Sequence, residues 1–242
     1  MKPTRAHFIF FYTFFTLTIL PIYPYLLWLK RENKTGRIGE IRKSWLRLGL
    51  FIVGYRYKII DFASNSTLQS ISLPSPVIVC ANHRSALDVA ILIACLPADY
   101  CFMAKAELLQ TPIISIFLKT IDIPVYRADK QASMRASIAA IQVLKSGRGL
   151  VIFPEGGIAD NAGILEPFTQ GAALIAFKTN TPILPISLPD CNSLMPDAKN
   201  SSKAGDIRLI LHQLLSPKSD LAQQNEQLYD SILAGLLKYG YR

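Results

Sequence analysis

From Pro74 onward the chain alternates short, uniformly apolar runs with longer amphipathic stretches, and this alternation limits the architecture more than any other feature. A strand that is apolar at every position has to be covered on both faces. Six such runs, at residues 76–81, 100–103, 123–126, 149–153, 183–188 and 207–212, read as strands. Helical patterns lie between most of them, near residues 87–94, 107–119, 131–144 and 172–177, and a last helix near 221–237 closes the chain. Strands separated by helices predict an α/β fold, a mainly parallel central sheet with helices on both faces. Ligands of such sheets bind beyond the carboxyl ends of the strands, so chemistry is expected in the residues that follow each run.

The first sixty residues follow a different pattern. Residues 8–29 form a 22-residue run without a charge that holds nine aromatics. Between Lys30 and Lys58 stand nine basic and two acidic residues, which carry +7 of the chain's +9 net charge. An apolar run before a basic block reads as a membrane-embedding segment with its basic side cytoplasmic. The absence of a small-residue cleavage site argues against a signal peptide. Pro21 and Pro24 interrupt the run, and a helix over residues 8–20 alone would be about 20 Å long against a hydrocarbon core of about 30 Å. The segment is therefore expected to span with a kink or to enter and leave one leaflet. Residues 41–60 interleave cations with apolar side chains, as an interfacial helix on anionic membrane lipids would. Nucleic acid is the disfavoured partner for the same charge. Residues 1–60 are thus expected to form an anchor and residues 61–242 a globular domain. Half of the chain is apolar, which excludes a disordered protein, and its four cysteines lack the C-x-x-C spacing of a disulfide framework or zinc site.

Two constellations fall where a sheet would place chemistry. The run at 76–81 leads into Asn82-His83-Arg84-Ser85-Ala86-Leu87-Asp88. With His83 in a loop and Asp88 in the first helical turn, the carboxylate can hold one imidazole nitrogen and leave the other facing a site. Ser85-x-x-Asp88 equally matches a capping box, a purely structural use of the same carboxylate. The run at 149–153 leads into Phe153-Pro154-Glu155-Gly156-Gly157, with Glu155 at the tip of a turn that the glycines leave open to close approach. An ordinary strand-ending turn is the alternative. Cys80, within an apolar strand, reads as packed rather than nucleophilic.

Together the two motifs resemble the glycerolipid acyltransferase family, above all its bacterial 1-acylglycerol-3-phosphate acyltransferases. Lys105-Ala106-Glu107-Leu108, the run from Ile121 to Arg127, the segment from Pro167 to Ala173, and Thr181-Pro182 through Pro185-Ile186 resemble the family's remaining motifs in order. The resemblance implies transfer of a fatty acyl group from acyl-CoA or acyl-carrier protein to a lysophospholipid acceptor, lysophosphatidate, giving phosphatidate. It implies His83 as general base, Asp88 as its orienter, Arg127 with Lys105 on the acceptor phosphate, and Glu155 and Gly156 shaping the acceptor site. Asn82, Arg84 and Gly157 complete the expected substrate-binding set. No cofactor, metal or covalent intermediate is implied. Ile121 replaces a usual Gly, and Gly157-Ile158 stands where Thr and Arg are common, which leaves room for another acceptor such as glycerol-3-phosphate or a lyso-aminolipid. A thioester hydrolase and a non-catalytic lipid-binding protein are the rivals from other classes.

Overall fold

The computed structural model describes residues 2–71, 73–126, 129–158, 165–196 and 199–240. Eight strands form one sheet: β1 (Tyr55–Asp61), β2 (Thr67–Leu68), β3 (Ile78–Ala81), β4 (Cys101–Lys105), β5 (Ile123–Val125), β6 (Leu150–Ile152), β7 (Ile183–Ser187) and β8 (Gly205–Leu211). Their order is β2-β1-β8-β7-β3-β6-β4-β5. The block from β7 to β5 is parallel throughout, as is the β1–β8 pair. The β1–β2 and β7–β8 pairings are antiparallel, so the sheet is mixed, with a parallel centre where the apolar runs predicted it.

Nine α-helices are described: α1 (Arg5–Ile19), α2 (Tyr23–Arg31), α3 (Thr35–Ile52), α4 (Ala86–Cys95), α5 (Pro112–Leu118), α6 (Lys130–Lys145), α7 (Gly171–Thr179), α8 (Cys191–Leu194) and α9 (Leu221–Lys238). Side chains of β3 alternate between two cores. Val79 and Ala81 join α3, α4 and the aromatics of α1 on one face; Ile78 and Cys80 join α6, α7 and α9 on the other. Both faces are therefore sealed, which is why the run is apolar at every position, and each fully buried Ile or Leu contributes roughly 1.5–3 kcal/mol.

Three elements differ from the sequence reading. The helix expected over residues 41–60 ends at Ile52, and Tyr55–Asp61 is strand β1, so the sheet crosses the expected boundary at residue 60. Its cations Arg56 and Lys58 are exposed, whereas Tyr55 and Ile59 are buried, which is the two-residue period of a strand. The helix expected over 107–119 is a 3-10 turn, Ala106–Gln110, followed by α5. Pro112 forces the break because it disfavours helical backbone at Thr111, which is extended. The N-terminal apolar run is likewise divided: α1 and α2 meet at a bend of 53°, and no single described helix is long and apolar enough to cross a membrane. Ile9, Phe10, Leu17, Leu20, Tyr25, Leu27 and Trp28 of this pair are exposed. The pair is tied to the body, since the His7 ring takes Ser202 Oγ at 2.7 Å and the Val53 carbonyl at 3.0 Å.

Candidate active site

The carboxyl end of β3 leads directly into His83, and the neighbouring end of β6 into Phe153 and Glu155. Helix α4 begins at its cap Ser85, whose Oγ accepts from the Leu87 N–H at 3.1 Å and donates to the Met195 carbonyl at 2.6 Å. Asp88 sits in the first helical turn with no exposure. Its Oδ2 accepts from the Arg84 and Ser85 N–H groups, each at 2.8 Å, and meets His83 Nδ1 at 3.1 Å. The two readings of Ser85-x-x-Asp88 are therefore not alternatives. One carboxylate oxygen caps the helix and holds the imidazole.

That arrangement selects the tautomer of the neutral imidazole. A carboxylate whose oxygen already receives two N–H groups acts on Nδ1 as an acceptor, so Nδ1 carries the hydrogen and Nε2 keeps a lone pair. The His83 ring stacks on Phe153, with centroids 4.1 Å apart and planes inclined by 22°, and its side chain is 13% exposed. Behind the dyad the fully buried Cys191 faces Asp88. Burial, then the carboxylate's charge and hydrogen bonding to it, holds the Cys191 thiol well above its ordinary pKa, in its S–H form.

Phe153-Pro154-Glu155-Gly156 is a tight turn closed by the Gly156 N–H on the Phe153 carbonyl at 3.0 Å. Gly156 has φ +80°, a left-handed conformation that a side chain would strain. The Glu155 carboxylate accepts the His83 N–H at 2.6 Å through Oε1 and the Glu166 N–H at 3.1 Å through Oε2. Burial raises its pKa, against the pull of those two N–H groups and the charge of Arg84. Glu166, which sequence reasoning did not single out, also lies 3.9 Å from the Arg84 guanidinium.

The remaining expected residues are placed unequally. Asn82 is fully buried: its Nδ2 donates to the Leu188 carbonyl at 3.1 Å and its Oδ1 accepts the Leu188 N–H at 2.7 Å. It braces the end of β3 against the end of β7, and no part of its amide reaches solvent. Arg84 is 6% exposed and faces inward to Glu166. Lys105 is exposed at the carboxyl end of β4, opposite Val125 of β5. Arg127, two residues beyond Val125, lies outside the described residues. Gly157 follows the turn at the same end of the sheet as His83. Cys80 has no exposure and burial pushes its thiol far up, in keeping with a packing role. No cluster of metal-ligating side chains occurs among the described residues.

Among curated proteins, the chain is 31% identical over 156 residues to a chloroplastic 1-acyl-sn-glycerol-3-phosphate acyltransferase of Brassica napus, covering 62% of this chain and 45% of that one. It is 32% identical over 152 residues to the 1-acyl-sn-glycerol-3-phosphate acyltransferase of Borreliella burgdorferi, covering 62% and 58%. The chain thus spans about half the length of these curated relatives. Its fold is similar to the crystal structure of the 1-acyl-sn-glycerophosphate acyltransferase PlsC from Thermotoga maritima, with TM-score 0.75 and 22% identity over 98% of this chain and 96% of that one. The acyltransferase family model matches residues 64–189, just over half of the chain and inclusive of both constellations, and the chain belongs to the acyltransferase family.

Proposed function

We propose that the protein transfers a fatty acyl group from a thioester donor, acyl-CoA or acyl-carrier protein, to the free hydroxyl of 1-acylglycerol-3-phosphate, giving phosphatidate. The observation that carries this reading is the 3.1 Å contact of His83 Nδ1 with buried Asp88, which leaves Nε2 as the free base at the carboxyl end of the sheet. A thioester is already activated, so the demanding step is removal of the alcohol proton during attack. Nε2 takes that proton, the alcohol oxygen bonds to the thioester carbonyl carbon, and the C–S bond breaks as the imidazolium returns the proton to the departing thiolate. A positioned histidine contributes about 10²–10⁴-fold to such a step. Lys105, at the end of β4, and Arg127, two residues beyond Val125 in sequence, supply cations for the acceptor phosphate, and Arg suits the task because its planar fork engages two oxygens. Gly157-Ile158 stands where Thr and Arg are usual in the family, so the assay varies the acceptor head group.

The same reading places the enzyme at a membrane whose cytoplasmic leaflet supplies the acceptor. The exposed apolar side chains of α1 and α2, with the basic residues that follow, support this. The test incubates membranes containing the protein with one radiolabelled acyl thioester and a panel of lysolipids. Labelled phosphatidate, formed with lysophosphatidate and lost in His83→Ala, is the expected result. Free fatty acid released at equal rate without any acceptor would replace this reading with thioester hydrolysis.

A further inference from the structure

We propose that Cys191 is a positioning residue: its S–H donates to the second oxygen of Asp88, Oδ1, and so steadies the carboxylate that orients His83. The proposal rests on the acyl-transfer reading above. Oδ2 of Asp88 serves three donors, the Arg84 and Ser85 N–H groups at 2.8 Å and His83 Nδ1 at 3.1 Å. Oδ1 is buried, and no N–H or O–H group bonds to it among the described residues. A carboxylate offers about four lone-pair sites, and an ionised oxygen sealed from water without a donor is costly. The Cys191 thiol faces this carboxylate from α8, close enough that the carboxylate's charge and a hydrogen bond to it act on the sulfur. It is fully buried in the same core as Leu87 and Ile91 of α4.

Both ends of α8 fix the sulfur. Asp190, the residue before Cys191, accepts from the Arg208 N–H at 2.9 Å and from its Nε at 2.8 Å. At the other end the Met195 N–H returns to the Cys191 carbonyl at 2.8 Å, and the Met195 carbonyl accepts from Ser85 Oγ at 2.6 Å. The cap of α4 and the thiol are thus tied through one short helix. Burial, with Asp88 and Asp190 beside it, keeps the thiol protonated, which makes it a donor and not a nucleophile. A thiol suits the place, because its sulfur packs as an apolar group while its S–H meets the bare oxygen. Without that donor the carboxylate is free to turn about its bonds to Oδ2, the Nδ1 contact tilts, and Nε2 moves off the acceptor hydroxyl. A displacement of about 1 Å in a reacting group costs about 10²-fold in rate, and a smaller tilt about 10-fold. Acceptor affinity does not depend on this oxygen.

Three substitutions separate donation from packing. Cys191→Ser keeps a donor and loses the bulk of sulfur, Cys191→Val keeps apolar bulk without a donor, and Cys191→Ala has neither. We expect kcat to fall about 10-fold in Cys191→Val and Cys191→Ala but less than about threefold in Cys191→Ser, with KM for lysophosphatidate within about twofold of wild type throughout. In an Asp88→Asn background Cys191→Ala should lower kcat no further, since it acts through that carboxylate. An infrared readout needs no activity. The S–H stretching band of Cys191, isolated as the difference between wild type and Cys191→Ala, should lie at lower frequency than that of Cys80, isolated in the same way with Cys80→Ala. Cys80 is fully buried within an apolar strand, and burial is the sole influence on its thiol. A Cys191→Val enzyme as fast as wild type beside a slow Cys191→Ser enzyme, or a Cys191 band level with that of Cys80, overturns the proposal. If the wild type makes no phosphatidate, the acyl-transfer reading falls by itself and the band still decides the contact.

Discussion

The contact between Arg42 and Asp122 joins α3 to the edge of the sheet, and breaking it should unfold the protein more readily than any comparable surface change. Arg42 is 4% exposed and donates from Nη1 to Asp122 Oδ2 at 2.6 Å and from Nη2 to the Tyr100 carbonyl at 3.2 Å. Its guanidinium also lies over the Phe102 and Phe117 rings, 5.5 and 5.8 Å from their centroids. Asp122 Oδ1 accepts the Phe102 N–H at 3.0 Å. Burial raises the Asp122 pKa, and Arg42 opposes that shift. Arg42→Met fills the space but leaves a buried carboxylate without its cation, which costs about 3–5 kcal/mol. For a chain of this size that lowers Tm by roughly 6–20 °C. Asp122→Asn in the same background removes the stranded charge and keeps an acceptor for Phe102, so it should restore about half of the loss. The Arg42→Met deficit should also shrink as pH falls, because a carboxylate with a raised folded pKa binds its proton more readily in the native state, and protonation removes the need for a cation. Thermal melts of the detergent-solubilised variants by circular dichroism measure all three. A loss under about 1 kcal/mol in Arg42→Met, or no recovery in the double variant, would refute the reasoning.

Burial elsewhere in the molecule has measurable consequences. His212, 9% exposed, has its pKa lowered to about 4 by burial. Its ordinary value is 6.5, so between these the unfolded chain binds the extra proton and stability is lost as pH falls from about 6.5 towards about 4, in all on the order of 3 kcal/mol. Denaturation of wild type and His212→Gln at the two ends of this window should give stability losses that differ by that amount; equal losses would contradict it. Gly235→Ala should destabilise by about 1–3 kcal/mol, because the added methyl meets Ser187 Oγ and His212 Nε2, which are hydrogen-bonded to each other at 2.8 Å. Burial raises the thiol pKa of Cys95 and of Cys101 to about 12, and Cys80 and Cys191 are fully buried. A maleimide at pH 8 should therefore label the native protein far more slowly than the unfolded chain; rapid native labelling would refute that burial.

The parallel centre of the fold was legible because its strands are apolar on both faces, a pattern that only a doubly covered sheet explains. Strand β1 was not, since Arg56 and Lys58 stand on its exposed side and their spacing also suits a helix at a bilayer surface. Its signal was the alternation of Tyr55, Tyr57 and Ile59 with those cations. The pairing of β7 with β8 depends on a chain reversal between Ser187 and Gly205 that no local pattern encodes. In the site, His83 and Asp88 were readable from a strand–loop–helix context. The bracing contact of Asn82 was not, because its partner Leu188 lies 106 residues away in sequence. Glu166 and Cys191 escaped for the same reason: each acts through a contact made by tertiary packing, and neither carries a motif.

The most direct test of the whole account is a double-variant comparison at the dyad, with phosphatidate formation from lysophosphatidate and one acyl thioester as the readout. If His83 removes the acceptor proton and Asp88 serves only to orient it, His83→Ala and Asp88→Asn each lower kcat by about 10²–10⁴-fold, and the double variant is no slower than His83→Ala alone. Losses that multiply, or a His83→Ala enzyme as fast as wild type, would show that the proton leaves by another route.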